Sequence, residues 1–205
     1  MEFKIVLGAL AAGLALISYV PYIRDVLRRR TKPHAVSWLV WAVLSGVACV
    51  IQIQAGGMAG AWTLAVTAVV CGIITAMSVV WGETHLDRAD IASVVAASCS
   101  LAVWLTTDNV LLAAMCVLLT DAIGGFLPTY RKSFLDPTGE TAATYGINSV
   151  AFVLSIAALG ELSMVTVLYP ASLVVLNAGL AWMIVWRRSK RWQHPLVLAW
   201  ESRRI

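Results

Sequence analysis

Charge is what this 205-residue sequence has least of: Asp, Glu, Lys and Arg make up 13% of it, about half the roughly 25% of a soluble globular chain. Hydrophobic residues reach 60% and the mean hydropathy is +0.82. A water-soluble fold of this size cannot hide so much apolar surface, so a soluble domain is excluded and lipid is the expected solvent. Paired cysteines are missing too. Cys49, Cys71, Cys99 and Cys116 stand singly inside apolar runs, with no CxxC and no ligand spacing. They are expected to be small core residues, and neither a disulfide nor a metal site is expected. His34, His85 and His194 fall in connections or the tail and suggest no metal either. There is no nucleophile elbow, P-loop, HExxH or Rossmann glycine pattern, so neither an enzyme nor a cofactor is expected. The formal charge of +4 does not imply a nucleic-acid partner, because in so apolar a chain the placement of positive charge carries the meaning.

What is there instead is a series of seven apolar runs, at about 3–27, 36–55, 61–82, 91–107, 109–134, 143–160 and 163–187. Each is close to the roughly 20 residues that cross the hydrocarbon of a bilayer. The fold class expected is therefore an all-α integral membrane protein of seven transmembrane helices. With the amino terminus outside, every one of the 15 Lys and Arg residues except Lys4 lies in a cytoplasmic connection or in the tail. Arg24, Arg28 to Arg30, Arg131, Lys132 and the tail arginines then serve as cytoplasmic anchors, which gives the orientation N-out and C-in. The first run continues into a proline and arginines without a polar cleavage region, so it is expected to be an uncleaved span rather than a signal peptide. Trp38, Trp62, Trp81, Trp104 and Trp186 sit near run ends and read as an interfacial belt. The tail has an apolar centre flanked by arginines and is expected on the inner membrane surface, with partner docking as the alternative.

The runs repeat. The stretch "YVPYIRD" at Pro21 aligns with "FLPTYRK" at Pro128, an offset of 107 residues, and Arg24 falls over Arg131. After a three-residue gap Pro33, Ser37, Trp41 and Ser45 fall over Pro137, Thr141, Tyr145 and Ser149, and Trp81 later falls over Trp186. Each half is thus a three-helix unit. Three crossings leave the chain on the wrong side for an identically oriented copy, so the fourth run acts as a reversing linker. The organisation expected is a first bundle (1–82), a linker helix (83–107), a second bundle (108–188) and a basic cytoplasmic tail (189–205). This 3+1+3 plan, with a proline near the cytoplasmic end of the first helix of each bundle, resembles the SWEET and PQ-loop superfamily of membrane transporters. The family's Pro-Gln dipeptide stands here as Pro21-Tyr22 and Pro128-Thr129. The resemblance implies a carrier that moves a small polar solute, such as a sugar, amino acid or vitamin precursor, by alternating access. It also admits a second reading, a receptor or adaptor of the same fold that binds a peptide without net transport.

A proline inside a helix removes one backbone hydrogen bond and pushes on the preceding turn. Pro21 with Tyr22 and Pro128 with Thr129 are therefore candidate hinges at a cytoplasmic gate, the alternative being static kinks that shape packing. Gly124 and Gly125 would loosen the second of them, and Pro170 would kink the seventh run. Asp121, near the middle of the fifth run, costs about 2.5–3.5 kcal/mol to place there on insertion scales, and intramembrane acids default to function. It is a candidate for binding substrate or carrying a proton, the alternative being a structural residue bonded between helices. Its counterpart in the first repeat is Leu14, so the site is expected to be asymmetric. At helical spacing Asp121 shares a stripe with Gly125, Pro128 and Lys132. Asn177, Asn148, Tyr145 and Trp41 complete the candidate substrate-binding set. For Asn177 the resemblance adds weight, because SWEET-like carriers use an asparagine at this depth. For the aromatic and amide stripes, packing between helices is the equal alternative. One chain holds both halves and is expected to form a complete pathway, with a homo-oligomer left open. The short connections point to a bacterial inner membrane.

Overall fold

The computed structural model describes residues 2–82, 88–107 and 109–192, and every described element is helical. The helices are α1 (Glu2–Leu27), α2 (Ala35–Gln54), α3 (Trp62–Trp81), α4 (Arg88–Thr106), α5 (Val110–Leu135), α6 (Ala142–Ala157) and α7 (Met164–Trp192). A 3-10 turn, Met58–Ala61, leads into α3. Five of these are long and apolar enough to cross a membrane: α1, α2, α3 with its leading turn, α5 and α7. The apolar stretches of α4 and α6, Ile91–Thr106 and Ala142–Ala157, are shorter. Helix ends fall within about three residues of the expected runs, except that α7 continues to Trp192 into what was expected to be tail. The rest of the tail, with His194, Arg203 and Arg204, lies outside the described residues, as does the connection 83–87 with His85.

The packing is apolar on the outside as well as in the core, unlike that of a protein in water. Large apolar side chains line the outside: Val79 is 70% exposed, Val175 70% and Trp182 67%. The interior in turn holds Ser18, Ser45, Gln52, Thr67, Asp121, Asn148 and Asn177. Many hydroxyls are satisfied by their own helix, as where Thr67 and Ser78 donate to the carbonyls of Thr63 and Ile74 at 2.9 and 2.7 Å. That local bond lets a polar residue sit in an apolar helix without a partner elsewhere. An apolar exterior around such a core is the arrangement that lipid, not water, stabilises.

Contacts between helices follow one pattern twice. Helix α3 packs on both α1 and α2, and α7 packs on both α5 and α6. Helix α1 also lies along α6, and α2 meets α5 chiefly at the middle of α5, less extensively than α1 meets α6. Helix α4 rests on α5 and α2.

The two ends of the bundle differ. At the end opposite the basic residues, the connections after α2 and after α6 are laced together. Glu161 N–H donates to Gly56 O at 3.0 Å, Gly160 N–H to Gly57 O at 3.3 Å, and Ser155 Oγ to Gly60 O at 2.8 Å. Gln52 Nε2 donates to Thr166 O at 2.7 Å and Lys4 Nζ to Gly160 O at 3.0 Å. Gly60 lies so close to the α6 end that an added Cβ would stand 2.8 Å from Ser155 O. At the basic end the ties run through side chains. Thr141 Oγ1 donates to Asp25 Oδ2 at 2.9 Å, Lys132 Nζ donates to Lys32 O at 2.9 Å, and Arg188 Nε donates to Pro137 O at 2.9 Å.

Candidate functional site

Helix α5 is irregular where its sequence is most unusual. It is α-helical over Val110–Thr120, takes a π turn over Asp121–Phe126, and returns to α over Leu127–Leu135. Its start is capped by Asn109, whose side chain accepts from Leu112 N–H at 3.0 Å. Pro128 is the second residue of the last segment, a first-turn position where a missing N–H costs least. The hinge or kink expected at Pro128 is preceded by this wide turn, which contains Gly124 and Gly125. Within the turn Gly125 still lies against Asp121, an added Cβ there standing 2.8 Å from Oδ1. π turns of this kind occur often at functional sites.

The turn carries Asp121 into the protein interior, where the residue is 0% exposed. Tyr169 of α7 donates its hydroxyl to Asp121 Oδ2 at 3.2 Å, while Oδ1 has no hydrogen-bond partner among the described residues. Gly125 makes this possible. A Cβ there would collide with Trp41 Nε1 and stand 2.8 Å from Asp121 Oδ1, so only glycine admits the indole and the carboxylate together. Trp41 Nε1 is likewise buried without a partner.

Beside this group lies a cavity of about 30 Å³, room for about two water-sized groups. Six helices line it. Tyr19 comes from α1, Trp38, Trp41 and Ser45 from α2, Thr67 and Cys71 from α3 and Phe126 from α5. Helix α6 gives Thr144, Tyr145, Asn148 and Phe152, and α7 gives Tyr169, Leu173 and Asn177. Asn148 Nδ2 donates to Tyr19 Oη at 3.0 Å, but its Oδ1 and Thr144 Oγ1 are buried and unpartnered. Asn177 Nδ2 donates back to Leu173 O at 2.8 Å. Trp41, Tyr145, Asn148 and Asn177, which the sequence marks as candidates, thus share one cavity, and Asp121 stands one side chain behind its wall.

A vestibule of about 910 Å³ lies between α2, α4 and α5 and reaches the basic end at Arg131, Lys132 and Glu140. Its walls are largely apolar, with Ala96, Leu119, Ile123 and Leu127 among them. Trp38, Trp41 and Tyr145 line both spaces and so form the partition between them. Tyr145 Oη donates to Glu140 Oε2 at 3.1 Å, and Glu140 Oε1 pairs with Lys132 Nζ at 3.5 Å. The partition is therefore tied to the charged groups at the mouth.

The candidate hinges behave differently from one another. Helix α1 runs unbroken through Pro21, whereas Pro128 follows the π turn. Tyr22 is buried and accepts from Trp38 Nε1 at 3.1 Å, with the rings 4.7 Å apart. Thr129, also buried, donates to Gly125 O at 3.1 Å. Pro170 is buried within α7 beside Tyr169. Arg24 and Arg131 are exposed, Arg131 at the vestibule mouth. Trp38 is no belt residue, being 3% exposed and packed edge-on to Trp41 at 5.0 Å. Sequence reasoning passed over Tyr19, Tyr169, Thr144 and Glu140, since a lone hydroxyl, phenol or loop acid carries no spacing signal. Among the described residues no three His, Cys, Asp or Glu side chains cluster in a way that could hold a metal ion. Comparison with protein-family models, curated proteins and solved structures gives no match for this chain.

Proposed function

We propose that this chain is an integral membrane carrier, resembling the SWEET and PQ-loop superfamily, that moves a small polar solute by alternating access. In this reading all seven helices cross the bilayer of a bacterial inner membrane, N-out and C-in. Helices α1–α3 and α5–α7 form two parallel bundles, and α4 is the reversing linker. The neighbour pattern supports this: α3 sits against α1 and α2 as α7 sits against α5 and α6, and α1 meets α6 as α5 meets α2. A pseudo-two-fold axis along the membrane normal produces those pairings.

The observation that carries the reading is the cavity where the two bundles meet. Thr144 Oγ1 and Asn148 Oδ1 belong to its lining and are buried without partners among the described residues. Each such atom costs about 1–3 kcal/mol unless something pairs with it, and a polar guest entering between the bundles would do so. The vestibule at the basic end and the laced loops at the other support an inward-open state with its outer gate shut. The test is saturable uptake into vesicles by the reconstituted protein, preceded by a thermal-shift screen over sugars, amino acids and vitamin precursors. We expect a solute that both stabilises the protein and enters the vesicles, with uptake lost in Asp121→Asn and Asn177→Ala at unchanged folding. Undiminished uptake in both variants would refute the site. A solute that binds but never crosses would refute the carrier and leave the receptor reading.

A further inference from the structure

The lining of the central cavity has a chemical bias that the carrier reading leaves unused. Half of its lining is aromatic, with rings from five helices, among them Tyr19, Trp41, Phe126, Tyr145 and Tyr169. Among the described residues no Lys, Arg or His lines it. Asp121, directly behind Trp41 and Tyr169, makes no ion pair among the described residues, and one of its two oxygens has no hydrogen bond. A buried carboxylate is tolerated when a positive charge balances it, and the described residues supply none at this point. Aromatic ring faces around a small space attract a positive group by their quadrupoles, most strongly when water is excluded. Hydroxyls and amides share the lining, from Ser45, Thr67, Thr144, Asn148 and Asn177, but none of them carries a charge to answer Asp121.

Resting on that carrier reading, we infer that the cavity takes the ammonium group of a small organic cation, with Asp121 as its counter-charge and the aromatic rings as its cage. The size agrees. About 30 Å³ accommodates roughly two water-sized groups, enough for an ammonium nitrogen and the carbon attached to it. The remainder of the solute has a place to go, because Trp38, Trp41 and Tyr145 border the apolar vestibule as well. A primary amine on an aliphatic or aromatic body therefore fits both spaces at once, head in the cavity and body in the vestibule. Asp121 has Leu14 as its counterpart in the other repeat, so one cation per chain is expected.

The test uses the full chain in detergent and three probe series of matched shape: butylammonium and benzylammonium, the neutral butanol and benzyl alcohol, and the anionic butyrate and benzoate. Tryptophan fluorescence and thermal stability report binding without reference to transport. The ammonium probes are expected to quench and stabilise saturably, and the neutral and anionic ones not. Asp121→Asn is expected to weaken ammonium binding roughly 30-fold or more, the loss that follows removal of one partner of a buried charge pair. If Asp121→Asn does not fold, Trp41→Leu provides the second arm, since it removes a cage wall and keeps the charge. Equal binding by alcohols or carboxylates, the same response to sodium or potassium alone, or ammonium binding untouched by both substitutions would overturn the inference. Should neutral solutes be transported independently of Asp121, the inference fails and the carrier stands. Should ammonium probes bind without any solute crossing, the carrier fails and the cation site stands.

Discussion

At the scale of single residues, the site is held together by a glycine. Gly125 lets the indole of Trp41 and the carboxylate of Asp121 approach the α5 backbone from the same side. Gly125→Ala is expected to destabilise the protein by about 1–3 kcal/mol, the cost of overpacking a filled interior, as read from thermal unfolding in detergent. Gly13 is the control: a Cβ there meets nothing within 4 Å, so Gly13→Ala is expected to be neutral or mildly stabilising. Tyr145→Phe removes the bond to Glu140 but leaves the Lys132 ion pair in place. Its expected cost is about 1 kcal/mol, that of one hydrogen bond, with normal elution on size exclusion. Asp121 was legible in the sequence because a carboxylate in an apolar run is expensive wherever it points. Its partner Tyr169 was not, since a tyrosine is at home at a span end, in a core or in a site, and only the rotation of α7 decides which.

At the scale of elements, the two proline-bearing helices α1 and α5 differ. The sequence shows two prolines at matched positions, and both read as breaks in a 3.6-residue helix. Helix α1 nevertheless passes Pro21 as one helix from Glu2 to Leu27, while α5 widens into a π turn before Pro128. A π turn inserts a residue into the helical count, and no periodicity argument finds it in advance. If the turn lets α5 flex against α2, Pro128→Ala slows vesicle uptake several-fold and Pro21→Ala leaves it near wild type. Equal effects would mean that both prolines only shape packing. Trp38 was misread for a related reason. It lies within one turn of the start of α2, but that turn is covered by Tyr22 and Trp41, so nearness to a helix end is not nearness to the membrane surface. Helix positions themselves were readable because long apolar runs are limited by hydrocarbon thickness, whereas side-chain rotation about each axis leaves no such mark.

At the scale of the whole molecule, the two ends of the bundle are closed by different means. One end is laced by main-chain bonds between the loops after α2 and α6, and the other opens into the vestibule and is tied by Lys132, Glu140 and Tyr145. A carrier must exchange these states, and the lacing is the contact it must break. Gln52→Ala deletes the bond to Thr166 O and is expected to favour opening at the Lys4 end. The strings around Pro21 and Pro128 suggest the duplication proposed above, but not which interfaces close, because that depends on how α2 and α5 part. The central claim, alternating access to a shared cavity, can be tested without knowing the solute. Cys71 lines the cavity and is 1% exposed; with Cys49, Cys99 and Cys116 replaced it becomes the only thiol. The decisive measurement is its labelling by a membrane-impermeant thiol reagent applied to one face of the membrane at a time. The account predicts that Cys71 reacts from both faces, faster from the Lys4 side once Gln52→Ala is added. Reaction from one face alone, while a Ser37→Cys control in the vestibule labels normally, would contradict it.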